Sequence, residues 1–227
     1  MRIALINGSP KVKDSSSGIL LEDLRNFLQG RCEVTKIAMH SPDVSEETIK
    51  ELCSADAWVF AYPLYVDCMP AHLLSCLVQL EDRRLYEREI SIYGIVNCGF
   101  YEGIQAEPAL NVLQNWCTKA GLCWGGGLGV GGGGGIAMMS GPRPDKGPKA
   151  PINKELEMIA DEILRCRTRE NHFVSVAFPR FLYRLAAQMG WRQLIRTNGG
   201  KAKDLGWPGG QQDAGVERCG KREHLHQ

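Results

Sequence analysis

Arg2-Ile3-Ala4-Leu5-Ile6-Asn7-Gly8-Ser9-Pro10-Lys11-Val12-Lys13-Asp14-Ser15-Ser16-Ser17-Gly18-Ile19-Leu20 sets the pattern for the whole chain. Its first residues are a short β-rich run that stops at an Asn-Gly-Ser-Pro turn. From Ser17 to Leu28, Ile19, Leu20, Leu24, Phe27 and Leu28 then recur at helical spacing. A strand feeding a helix through a polar loop is the first half of a βαβ unit. The alternation continues: Glu33 to Ala38 reads as a strand, and Ser45 to Cys53 as a helix with Ser45 as its cap and acids in its first turn. Ala57 to Ala61 is a third strand, running into Tyr62-Pro63. Pro70 opens a helix with Leu73, Leu74, Leu77 and Leu80, and Ile90 to Val96 is a fourth strand. A helix over Ile104 to Ala120 and the start of a fifth strand at Leu122 to Trp124 complete the series. Such alternation predicts an α/β protein with a doubly wound parallel sheet, whose five strands either complete it or form the first part of a longer dinucleotide-binding sheet; both place ligands beyond the carboxyl ends of the strands.

The remaining sequence bounds the alternatives. The chain has 227 residues, 44% hydrophobic and 23% charged, with 27 Lys and Arg against 26 Asp and Glu, which fits one large globular domain and gives no reason to expect a nucleic-acid binder. Nine cysteines lie scattered with no C-x-x-C pair, and Cys53, Cys76, Cys117 and Cys166 fall among apolar residues of predicted helices. Reduced structural thiols and a cytoplasmic setting are therefore expected, with no metal site. The opening residues do not read as a signal peptide, and no run approaches the roughly 20 apolar residues of a membrane span. Between Gly125 and Gly135 nine of eleven residues are glycine, so a loop or mobile cover is expected there. A helix follows from Ile152 to Arg167, and a second from Pro179 to about Thr197.

Three loops carry chemistry. The first, Ser9 to Gly18, places Lys11 and the hydroxyls of Ser9, Ser15, Ser16 and Ser17 at a helix N-terminus, a combination suited to a phosphate monoester. A serine-rich turn with an ordinary cap is the plainer alternative. No Gly-Lys-Ser/Thr follows at Walker spacing, and the G-x-G-x-x-G match at Gly127 to Gly132 lacks a prompt helix. The second loop, Tyr62 to Leu74, is aromatic and apolar where water-facing residues are usual, so it predicts a planar apolar ligand beside Pro63, Leu64, Tyr65 and Val66. Asn97, Gly99, Phe100 and Tyr101 in the third loop suit the other side of the same ring. His72 reads as a capping or packing residue, and His224 and His226 do not make a metal site.

Together the Asn7-Gly8-Ser9-Pro10 turn with Ser15 to Ser17, the Pro63-Leu64-Tyr65-Val66-Asp67 and Pro70-Ala71-His72-Leu73 string, and Asn97-Cys98-Gly99-Phe100-Tyr101 resemble the flavodoxin-like NAD(P)H-dependent FMN reductase superfamily over roughly Met1 to Gly129. Phe178 to Tyr183 and Gly190-Trp191-Arg192 are similar, more loosely, to an extension of some bacterial members. The resemblance implies strand order 2-1-3-4-5, a flavodoxin-like FMN-binding domain over 1–150, a C-terminal helical extension of it over 151–200 and a polar tail over 201–227. It implies FMN as cofactor, NADPH or NADH as co-substrate, a quinone, nitro or azo compound or flavin as acceptor, and a homodimer. The phosphate role falls on the serines, and the ring role on Pro63, Leu64, Tyr65, Val66, Asn97, Gly99, Phe100 and Tyr101. No side chain is expected to act as nucleophile, since the chemistry belongs to the cofactor. An electron carrier or a flavin-free scaffold of the same fold are the other readings. From Arg165 to Lys203 seven Arg and two Lys face only Glu170, so the second C-terminal helix is basic and suits an anion: a 2′-phosphate, an acidic subunit patch or an anionic membrane.

Overall fold

The computed structural model describes residues 1–81, 83, 89–139 and 146–206. Six parallel strands form one sheet: β1 (Arg2–Asn7), β2 (Glu33–Ala38), β3 (Ala57–Pro63), β4 (Ser91–Asn97), β5 (Cys123–Val130) and β6 (His172–Val174), in the order β2-β1-β3-β4-β5-β6. Helices α1 (Ser16–Leu28), α2 (Glu46–Ser54), α3 (Ala71–Glu81), α4 (Glu107–Ala120) and α5 (Ala150–Leu164) connect them. The expected order of the first five strands is present, but the sheet has six strands, not five. Contact density divides the chain into Met1–Pro179, which holds the sheet, and Arg180–Gln227, which holds α6 (Arg180–Thr197). Of the polar tail expected over 201–227, residues 207–227 lie outside the described residues.

Helix starts follow local chemistry. Ser15 caps α1 by accepting the Gly18 N–H at 3.0 Å, and Ser45 caps α2 by accepting that of Thr48 at 3.1 Å. Each cap satisfies one of the donors left without an intrahelical acceptor in the first turn, an effect of about 1 kcal/mol. Where Ile104 to Ala120 reads as one helix, the structure has a 3-10 turn (Gly103–Ala106) leading into α4, because Pro108 fits the first turn of a helix but not its interior. α5 ends at Leu164 rather than Arg167, leaving Cys166 exposed and left-handed (φ 51°) instead of packed in a helix.

The glycine run does not end regular structure. Gly126 to Val130 pair with Tyr93 to Asn97, and the register shifts at Ile92/Tyr93, where Gly125 is skipped. Gly126 has φ +137°, a conformation that L side chains rarely adopt, and it lies against Arg169. These glycines let β5 lie in a crowded sheet interior, with Leu128 and Val130 as its large buried side chains. The sixth strand escapes sequence reading because three residues are shorter than any alternation can reveal.

The core packs Trp58, Phe60, Tyr62 and Trp116 at the sheet centre. Trp58 and Trp116 meet Phe60 edge-on at centroid distances of 6.3 and 6.1 Å. The buried polar tips are satisfied: Trp58 Nε1 donates to the Leu52 carbonyl, Tyr62 Oη to that of Ala109 and Tyr93 Oη to that of Arg167. Burial raises the Tyr93 hydroxyl from 10 to about 12, with lesser contributions from Cys166 and Glu162, and pushes Tyr62 well above the usual value. A raised folded-state value means that the unfolded chain loses its proton first as pH rises. The stability Tyr93 contributes is therefore whole below pH 10 and drains between 10 and about 12. We expect Tyr93→Phe to flatten part of this alkaline loss, by roughly 1–2 kcal/mol, when denaturant midpoints are compared across that range. Tyrosinate absorbance should show the wild-type hydroxyl titrating late. A midpoint difference between the two proteins that does not change with pH would exclude this role for Tyr93.

Candidate active site

The loops after β1, β3 and β4 converge at the carboxyl edge of the sheet. They enclose a cleft of about 230 Å³ lined by Ser9, Lys11, Asp14, Ser15, Ser16, Ser17, Pro63, Leu64, Tyr65, Asn97, Gly99, Gly133 and Gly134. Larger grooves exist elsewhere, one of about 720 Å³ beside Phe27 and Ala150, but it brings together few polar groups from different elements. Chemistry, not size, selects the cleft.

The serine loop is fastened at both ends. Asn7 accepts the Ser9 N–H at 3.1 Å and donates to Ser15 Oγ at 3.3 Å, closing the turn across its mouth. Ser9 Oγ accepts the Lys11 N–H, Lys11 Nζ donates to the Asp14 carbonyl at 3.0 Å, and His40 Nδ1 lies 2.6 Å from the Ser9 carbonyl. Asp14 is left-handed at φ 51°, the bend that turns the loop back onto α1. The N–H groups of Ser16 and Ser17 open α1, where helix geometry gives them no intrahelical acceptor and the dipole favours an anion.

The serine hydroxyls reach across the cleft. Ser17 Oγ, buried, donates to Asn97 Oδ1 at 2.7 Å, and Ser16 Oγ donates to the Gly133 carbonyl at 2.7 Å. Asn97 in turn accepts the Leu64 N–H on its own carbonyl at 2.8 Å, so one residue at the end of β4 ties all three loops together. In the second loop, Tyr65 and Cys68 exchange backbone hydrogen bonds around Val66 and Asp67, both at positive φ (48° and 56°). This geometry matches a two-residue I′ turn, normally built from Asn and Gly. A β-branched residue there is strained, and strain of this kind concentrates at binding sites.

Ten of the thirteen residues read from sequence line the cleft: Ser9, Lys11, Ser15, Ser16, Ser17, Pro63, Leu64, Tyr65, Asn97 and Gly99. Val66 and Phe100 are exposed (96% and 56%) beyond its lining. Tyr101 turns away and donates its hydroxyl to the Phe178 carbonyl at 2.9 Å. Asp14, Gly133 and Gly134 join the site unforeseen. Asp14 was legible as part of the loop. The glycines were not, because low complexity hides which of nine meets the serines. Nor is their segment a loose cover: Gly131, Gly132 and Gly133 donate their N–H groups to the carbonyls of Val174, Phe100 and Cys98 at 2.6–2.8 Å, forming a fixed fourth wall.

No family model and no curated protein matches the chain. Solved structures do. An NADH:FMN oxidoreductase in its apo form aligns with a TM-score of 0.55 at 15% identity, over 74% of this chain and 91% of that one. The fold is flavodoxin-like. A flavodoxin from Streptococcus pneumoniae TIGR4 aligns at 0.52 with 13% identity over 73% of this chain and 99% of that one. An NADPH-quinone reductase from P. pentosaceus aligns at 0.51 with 15% identity over 72% and 98%. At 13–15% identity these neighbours share the fold of this chain.

Other polar groups lie near this flavodoxin-like edge. Cys98 is buried, its Sγ directed to the carbonyls of Phe100 and Glu102, and burial pushes its thiol up from the ordinary value. His72 Nε2 meets the Met39 carbonyl at 3.0 Å in a packing role. All eight cysteines among the described residues are free thiols, and those residues contain no cluster of three or more His, Cys, Asp or Glu that could hold a metal. No described helix is long and apolar enough to cross a membrane.

Proposed function

We propose that the cleft binds FMN by its phosphate, and that the protein is a flavin-dependent NAD(P)H oxidoreductase acting on a small planar acceptor such as a quinone, a nitro or azo compound or free flavin. The observation that supports this most is the union of the α1 N-terminus and its serine hydroxyls with bare backbone on the facing wall. A Cβ built on Gly99 or Gly134 would meet nothing within 4 Å, so both leave open space toward the cleft. Bound FMN would supply the hydride- and electron-accepting ring.

The chain's own part is to bind and orient. The Ser16 and Ser17 N–H groups, the Ser16 hydroxyl and Lys11 are the donors for a phosphate, with Ser9 and Ser15 holding the loop in shape. The Ser16 hydroxyl donates to the Gly133 carbonyl. Giving up that bond costs about 1 kcal/mol, whereas a charge-assisted bond to phosphate returns about 1.5–3 kcal/mol, so the exchange favours the ligand. A cleft of 230 Å³ falls below the roughly 300–1,000 Å³ that engulfs a whole drug-sized ligand, so it suits the phosphate-bearing arm. Pro63, Leu64, Tyr65, Asn97 and Gly99 at the lining, with Val66 and Phe100 outside, are the residues available to the ring.

The same serine bonds favour one rival, a flavin-free module whose loop is already self-satisfied. An acidic electron carrier is disfavoured by the net charge of +1. The visible spectrum separates the three readings. We expect the purified protein to take up FMN and the bound flavin to be bleached by NADPH or NADH without air. Yellow protein that no nicotinamide bleaches would make it a carrier, and protein that cannot be loaded with FMN would make it a scaffold. Oligomeric state, proposed as a homodimer, is read from sedimentation in the same preparation.

A further inference from the structure

Helix α6 (Arg180–Thr197) has no buried residue, although ten of its eighteen residues are apolar. Phe181, Leu185, Met189, Trp191 and Leu194 are each 55–70% exposed, well beyond the scattered single apolar residues of an ordinary surface. Between Asn171 and Lys203 the sequence has no acid, while Arg180, Arg184, Arg192, Arg196, Lys201 and Lys203 supply six cations.

The distribution of these residues on the helix selects the partner. Residues three or four apart share a stripe. One stripe carries Phe181, Leu185 and Met189 and continues as Arg192 and Arg196. The neighbouring stripe begins with Arg180 and Arg184 and continues as Trp191 and Ile195. The first stripe is thus three apolar residues followed by two arginines, and the second two arginines, then Gln188, then two apolar residues, so the apolar parts are offset. A protein groove or a second helix reads one continuous apolar seam, which this mosaic breaks after little more than two turns. A headgroup layer tolerates interleaving, because arginine stems lie along the acyl boundary while their guanidiniums reach phosphates, and Trp prefers that depth.

We propose that α6 is a docking surface for an anionic lipid bilayer, lying in the plane of the headgroups rather than crossing them. The complementary charge identifies the lipid class: the basic run attracts anionic headgroups, and each cation close to such a surface strengthens binding by about fivefold. This inference is independent of the flavin reading, since it uses none of the cleft residues.

The test uses the full-length protein and sedimenting vesicles of phosphatidylcholine with or without about one-third phosphatidylglycerol, near the physiological ionic strength of about 0.15 M. We expect binding to the mixed vesicles at least tenfold above that to neutral ones, reversed by high salt, with a blue shift of emission that disappears in Trp191→Phe. Arg184→Glu combined with Arg192→Glu should abolish the difference while leaving the far-ultraviolet dichroism of the parent unchanged. Equal binding to both vesicle types, or to neither, overturns the proposal. So does self-association that Leu185→Asp and Met189→Asp abolish in protein that ignores vesicles, which would make the helix a protein contact.

Discussion

Ser16→Asp is expected to weaken FMN binding about a thousandfold, with little change in folding stability. The substitution places a carboxylate at the first residue of α1, on the wall of the cleft where the phosphate is proposed to sit. Two like charges about 4 Å apart at an effective dielectric near 20 repel by about 4 kcal/mol, and each factor of ten costs about 1.4 kcal/mol, which sets the expected loss. The fold should tolerate the change. An acid in the first turn gains roughly 0.3–1 kcal/mol from the helix dipole, which offsets most of the roughly 1 kcal/mol lost with the Ser16 to Gly133 hydrogen bond. Ser16→Ala is the companion variant: it removes the hydroxyl without adding charge and should cost only about tenfold. Fluorescence titration with FMN measures both, and thermal melting of the apoproteins controls for folding. If Ser16→Asp binds FMN as the parent does, the phosphate does not lie at the N-terminus of α1 and the functional assignment fails at its base.

How much of this could be read from the residues depends on the range of the interactions. The first four strands and the cap at Ser45 are set by alternation and by side chains three residues away, so sequence shows them. The convergence of the three loops follows from the topology once the strands are parallel. The glycine run reads as a loop although it belongs to β5, because its role is steric and nonlocal: β5 needs bare backbone against Tyr93, Arg169 and the Gly103 turn, which are distant in sequence. The hydrogen bond from Tyr101 to the Phe178 carbonyl has no local signature for the same reason, since the two are 77 residues apart. The Ser17 to Asn97 and Ser16 to Gly133 bonds span 80 and 117 residues and have no local signature.

Two glycines in that run should respond oppositely to the same substitution. A Cβ on Gly131 would stand 2.0 Å from the Tyr101 carbonyl oxygen and 2.7 Å from the Gly103 nitrogen, while one on Gly134 would meet nothing within 4 Å. Neither residue has positive φ, so backbone strain does not separate them. In Gly131→Ala the obstructing atoms are backbone and cannot rotate aside, so the end of β5 must withdraw by about 1 Å. That motion breaks the Gly131 N–H bond to the Val174 carbonyl, which secures β6, and the Gly132 N–H bond to that of Phe100, which secures the turn after β4. Each of the two buried groups left unsatisfied costs about 1–3 kcal/mol, and the overpacking a further 1–3 kcal/mol, so a total loss of about 3–9 kcal/mol is expected. For a chain of this size that lowers the melting temperature by roughly 10–30 °C. Gly134→Ala should stay within about 0.5 kcal/mol of the parent. Because Gly134 lines the cleft, its added methyl group should instead reduce FMN affinity. Melting and FMN titration of the two variants side by side therefore separate the glycine that builds the wall from the glycine that faces the ligand. Equal melting temperatures would mean that β5 does not depend on the close approach at Gly131.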